Sequence, residues 1–234
     1  VEDKFMEKNM MNLEIKGSGS SEGGKYNTVV IKGNGKIDGN LDCNYLEVQG
    51  HCEVNGNVKS ESVKVNGNNS IKGDLEADEI EIHGEVNVDG NLSVEKIHTH
   101  GMISVNGNCN AESFTMEGAF KIRGLLNAGE LELKLHGPSE AREIGGEKIM
   151  VKRNGRVKFT RIRKLIMPFG FDTGLTTDII EGDEIYLEYT NAKVVRGNDI
   201  ELGSGCNIKL IEYQNEFKQH EEAEVVTYKK IRKT

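Results

Sequence analysis

The amino-acid sequence predicts an all-β fold, a single-stranded parallel β-helix wound in coils of about 17 residues, and two observations predict it. Glycine pairs stand at Gly33/Gly39, Gly50/Gly56, Gly67/Gly73, Gly84/Gly90, Gly101/Gly107 and Gly118/Gly124, each pair returning after 17 residues. An unbroken internal period of this length is the signature of a stacked repeat. The same step lines up apolar columns: Leu46, Val63, Ile80, Ile97, Phe114 and Leu131; Ile37, Val54, Ile71, Val88, Val105 and Ile122; Leu41, Val58, Leu75, Leu92, Cys109 and Leu126. A further column holds mostly small residues, Cys43, Ser60, Ala77, Val94, Ala111 and Ala128. Within a repeat these columns fall mainly two residues apart, the period of a strand.

Glycine fits the corners of such coils because it accepts positive φ and leaves room where backbones approach. The residue after the second glycine is Asn40, Asn57, Asp74, Asn91 or Asn108. These types also tolerate the left-handed region, so the column is expected to be a structural ladder. One coil cannot fold alone. Burying each sizeable apolar side chain contributes about 1.5 to 3 kcal/mol, whereas ordering each backbone residue costs about 1 to 2 kcal/mol. Stacking on the next coil must supply the rest.

In chain order, residues 1–12 are expected to be a flexible N-terminal segment, and 13–134 the regular β-helix, opening on an incomplete coil in "LEIKGSG". The register breaks at Leu135, where glycine would recur, and Pro138 follows, so 135–151 is expected to be an irregular coil. Residues 152–182 are expected to form a basic and apolar insertion. Coil-like pairs return at Ile185/Leu187 and Ile200/Leu202, marking 183–215 as terminal coils, and the charged stretch 216–234 reads as a tail or cap. From Lys148 to Phe171 there is no acidic residue. There, Arg156, Lys158, Arg161, Arg163 and Lys164 interleave with Phe159, Ile162, Leu165, Ile166, Phe169 and Phe171, which reads either as a loop packing its apolar side on the β-helix or as a candidate surface for an anionic membrane or a protein partner.

A net charge of −8 argues against general nucleic-acid binding. No apolar run reaches the roughly 18 residues of a spanning helix, and the first residues lack a secretory signal's apolar centre, so the expected location is cytoplasmic. Cys43, Cys52 and Cys109 fall in three inward columns and read as buried reduced thiols, while Cys206 has no evident metal partner. "GSSEGGK", Gly19–Lys25, matches the phosphate-loop spacing, but Tyr26 stands where Ser or Thr should hold Mg²⁺ and strand-like residues follow. His83 and His100 share an outward column near His98, and a solvated ladder is the expected reading. No acid–base pair is singled out, and no catalytic, cofactor or metal site is expected.

The short "V-x-G-N-[LV]" coils, the small-residue column and the absence of a nucleotide motif resemble the bactofilins, bacterial cytoskeletal proteins with a polymer-forming β-helical domain. The resemblance is best from Tyr26 to Leu133. It implies a nucleotide-independent filament, a homopolymer serving as a scaffold for partner proteins, often at the inner face of the cell membrane. The expected hand is right, since parallel crossovers favour it. End-to-end growth places the candidate polymer interface at the first coil, Leu13 and Ile15, and at the last, Ile208, Leu210, Ile211 and Tyr213. The alternative is a left-handed hexapeptide-type acyltransferase or another β-helical enzyme, which the six-residue glycine spacing matches only in part.

Overall fold

The computed structural model describes residues 10–153 and 174–232. Ten strands follow one another: β1 Asn12–Val54, β2 Val58–Ile71, β3 Leu75–Val88, β4 Leu92–Val105, β5 Cys109–Leu135, β6 Ser139–Arg153, β7 Leu175–Leu187, β8 Thr190–Leu202, β9 Asn207–Gln219 and β10 Glu224–Lys230. They form one sheet whose spatial order is the chain order, and every neighbouring pair is parallel. A chain whose each strand pairs only with the preceding and the following one is a β-solenoid. Several strands run longer than one side of a coil because the ladder continues around corners.

The predicted columns are the core. Leu41 lies opposite Val58, Val58 opposite Leu75, Leu75 opposite Leu92 and Leu92 opposite Cys109. The Leu46, Val63, Ile80, Ile97 and Phe114 column is fully buried, as is the Val54 to Ile122 column. Each coil points three pairs of side chains inward, as in Asn69/Ile71, Leu75/Ala77 and Ile80/Ile82 of the β2 and β3 coils. Alternation within a pair is the strand period, and longer steps between pairs are the corners.

At the corner after the third pair, Gly33, Gly50, Gly67, Gly84, Gly101 and Gly118 all have positive φ. A Cβ on Gly101 would run into the backbone carbonyl oxygen of Gly84, one coil below. Glycine is therefore required there twice over, by conformation and by the close approach of stacked backbones. The Asn/Asp column has a different cause from the one its residue types suggest. Tyr189 is the one non-glycine residue with positive φ among the described residues, so these asparagines are not left-handed. Instead each side chain accepts the backbone N–H of the next coil: Asn40 Oδ1 from Asn57, Asn57 from Asp74, Asp74 from Asn91, Asn91 from Asn108 and Asn108 from Leu125, at 2.7–3.0 Å. The ladder satisfies corner donors that the sheet leaves open.

Past β5 the coils change length. Ile122 pairs with Ala141 but Leu126 with Ile144, a one-residue slip that shortens the corner. β7 pairs with β8 at a spacing of 15 residues, Leu175 to Thr190 and Ile185 to Ile200. The regular stacking therefore resumes at Leu175, not at residue 183: "LTTDII" forms a full side, with Thr177 buried and donating to the carbonyls of Arg142 and Ile179. A polar residue in an inward column hid that side from the apolar pattern. The stretch 135–151, expected to be an irregular coil, carries that slip and is nonetheless paired on both edges from Glu140 to Val151. At the far end, residues 224–230 are a paired strand and not a loose tail.

Candidate functional site

A stack of this kind has two surfaces unlike its sides, the edges of its outermost strands. At the first, Leu13 is half-buried against the core and Ile15 is buried beneath it. The coil is fixed to the next by Asn27 N–H donating to Met11 O at 2.9 Å and by the Asn27 amide donating to Asn12 Oδ1 at 3.1 Å. Met11 is exposed at the rim. Among the described residues no strand pairs with the outer side of this coil.

At the other end Ile208, Leu210, Ile211 and Tyr213 do not form the edge. They lie on β9 opposite Val225, Thr227, Tyr228 and Lys230 of β10, and Ile208 and Ile211 are completely buried. The edge lies one strand further out. The signal was in the sequence: the 17-residue step carries Ile208 to Val225 and Ile211 to Tyr228. β10 is the most exposed strand, with Val226 and Tyr228 showing 76% and 60% of their surface. Tyr228 packs on Phe217 and Phe217 on Tyr213, with centroids 5.4 and 5.7 Å apart.

Beneath this strand lies a carboxylate that the sequence did not reveal. Glu212, on β9, is the one buried charge among the described residues. Arg196 of β8 donates to its Oε2 at 2.7 Å and Lys229 of β10 reaches its Oε1 at 2.7 Å. Arg196 also donates to Glu181 of β7 at 3.0 Å, so one network ties four successive strands. Lys229, and then Arg196, hold the Glu212 carboxyl below its ordinary value. Buried charges persist only when paired in this way.

On the sides, Arg156 to Phe171, the basic and apolar candidate segment, lie outside the described residues. The start of the same basic run sits on β6, where Lys152 lies over the Tyr186 ring and Arg153 over the Tyr189 ring, at 5.8 and 4.4 Å. Tyr186 donates to Glu188 at 2.7 Å, and that hydrogen bond, with burial, pushes its phenol up to about 12. His83 and His100 stack at 5.1 Å, with Glu81 2.9 Å from His83, while His98 lies in another column opposite Glu81. Among the described residues no group of three His, Cys, Asp or Glu side chains is arranged to hold a metal ion. Gly19–Lys25 runs within β1, with no helix after it to receive a phosphate. The four cysteines are buried free thiols, and burial pushes Cys52 and Cys109 up to about 12 and Cys206 up to about 11. No helix among the described residues is long and apolar enough to cross a membrane.

Compared with known proteins, the chain matches the family model described as "Bactofilin: Polymer-forming cytoskeletal" over residues 7–93 and 51–127, together more than half of its length. It is 43% identical over 88 residues to the uncharacterized protein YhbF of Bacillus subtilis, covering 37% of this chain and 33% of that protein. It is 38% identical over 96 residues to the uncharacterized protein YhbE of the same organism, covering 41% of this chain and 38% of that one. The chain thus spans well under half the length of the curated relatives it matches. No solved structure matches it significantly.

Proposed function

The chain belongs to the bactofilin family of polymer-forming cytoskeletal proteins, and from that premise we propose that its copies join end to end, without nucleotide, into a filament that positions partner proteins at the inner face of the cell membrane. The observation that carries the proposal is the outer edge of the first coil, which no strand among the described residues pairs with. Asn12–Ile15 offers the same row of backbone donors and acceptors that every internal coil uses, above a core that ends at Leu13 and Ile15. An edge of this kind is a template for a second chain. The ladder spacing of 17 residues up the regular coils also departs from the roughly 18 residues of an unbroken hexapeptide repeat, which weakens the acyltransferase alternative. The membrane arm of the proposal rests on the basic, apolar composition of Arg156 to Phe171.

Purified protein in EDTA without nucleotide is expected to sediment as large species and to show filaments by negative stain. Ile15→Lys is expected to abolish them while leaving the β-sheet circular dichroism unchanged. A parent protein that stays monomeric at high concentration overturns the filament. Co-sedimentation with acidic but not neutral liposomes, lost on replacing Arg161, Arg163 and Lys164 by Glu and weakened by salt, supports the membrane arm; binding indifferent to lipid charge ends it.

A further inference from the structure

We propose that β10 is a removable cap, and that the β9 edge beneath it is a second docking surface for another copy of this chain, exposed when the Glu212 clamp opens. The inference rests on the end-to-end reading above and assigns the control of one end.

Three observations carry it. First, β10 is attached unlike any internal strand. It covers β9 only from Asn207 to Tyr213, and among the described residues Glu216–Gln219, paired with β8 on its inner side, has no strand on its outer side. Half of the edge is thus already open, next to the half-buried Phe217. A second copy can begin to pair there and then displace β10 stepwise.

Second, what β10 hides is built for pairing, and β10 itself is not. Beneath it lie the buried Ile208 and Ile211, in inward columns that run down the stack, and the half-buried Leu210, in the outward column of Val194 and Ile179. On β10, mostly exposed residues lead into Lys229, Lys230 and Arg232. Short strands bearing lysine are the usual means of blunting a sheet edge.

Third, among the described residues the attachment has a single ion pair. Lys229 reaches across to Glu212, which Arg196 holds from the opposite side. Neutralising Glu212 leaves Lys229 without its buried partner, and what remains is Val225 and Tyr228 on the core's end, the short ladder, Lys230 donating to Asn215 O at 3.1 Å and lying over the Tyr213 ring, and Gln219 donating to Ala223 O at 2.7 Å.

The test uses the full chain with two variants. Glu212→Gln is expected to speed amide hydrogen exchange over Val225–Lys230 about tenfold or more, to leave β2–β8 unchanged, and to raise the fraction of large species in sedimentation. Leu210→Cys with Thr227→Cys places cysteines at paired positions of β9 and β10, and adjacent parallel strands bring them within disulfide reach. The four native thiols are buried and resist the oxidant. Oxidation is expected to suppress growth through this end and reduction to restore it. If the oxidised lock and Glu212→Gln both assemble like the parent, the cap falls while end-to-end growth stands. If no form assembles at any concentration, end-to-end growth falls and the cap with it.

Discussion

Between Gly33 and Gly124 each coil turns on glycine pairs and an amide ladder, whereas between Ala141 and Leu202 it turns with shorter corners, yet the inward columns run unbroken through both regions. In the first region Val54 is followed at four residues by Val58, and Gly56 and Asn57 fill the corner. In the second, Ala141 is followed at three by Ile144, Thr177 by Ile180 and Ala192 by Val195, with no Gly-Asn between them. The small column narrows from Ala128 to Gly146, Gly182 and Gly197; the ladder's own column continues as Leu125, Glu143, Ile179 and Val194, and at the corner after the glycines side chains pair with one another, as Asn198 with Asp183 at 2.7 Å. The core defines a coil, and corners are variable means of closing it. Sensitivity to substitution should therefore be spread evenly over the columns and unevenly over the corners.

The largest effect that sharpens this contrast is expected at the glycine column. Gly101→Ala combines positive φ with a collision against the Gly84 carbonyl, and a cost of about 3 kcal/mol or more follows from strain plus forced backbone displacement. Gly145→Ala, in the second region, meets only the Asn127 side-chain oxygen at 2.9 Å, and a cost of under about 1 kcal/mol is expected because that side chain is free to turn away. Equal losses in thermal melts would show that both regions rely on the same corners.

Next in size is the Glu212 network, which ties Glu181 and Arg196 of the second region to β9 and β10. The folded-state value of Glu212 is lowered from 4.5 by Lys229 and Arg196. Its contribution is present above the unfolded value and disappears as pH falls through the lowered one. Glu212→Gln is expected to cost about 1 to 3 kcal/mol at neutral pH, and the difference from the parent should vanish in strong acid. A difference that persists unchanged in acid would remove the charge from the account.

The regular region holds a defect of its own. Both polar atoms of Asn69 are buried without a hydrogen-bond partner, between Cys52 and Val86 in adjacent coils. Asn69→Val is expected to stabilise by about 1 to 2 kcal/mol, a rise of a few degrees in melting temperature. A fall in melting temperature would mean that the amide is satisfied in solution. The smallest contrast is expected on the ladders. Asn91→Ala removes the acceptor of the Asn108 N–H and should cost about 0.5 to 1.5 kcal/mol. Asn198→Ala loses only an exposed side-chain pair and should stay within about 0.5 kcal/mol; a larger loss would make the two ladders equivalent.

The sequence by itself determined the period, the columns and the burial of Cys43, Cys52 and Cys109, because burial in a solenoid repeats at the coil length and each coil repeats the same local pattern of inside and outside. It also placed Leu13 and Ile15 on the outermost coil among the described residues. Only the tertiary structure decided where the altered coils begin, because Thr177 is polar yet inward and a corner shortened by one residue shifts every later column. It decided that Asn57 and Asn91 serve the backbone of the next coil and not their own conformation, a relation between residues that touch only after stacking. It decided the far end as well. Val225 and Tyr228 continue two columns that the charged residues around them disguise, and Glu212 becomes a buried anchor only when Arg196 and Lys229 arrive from different coils.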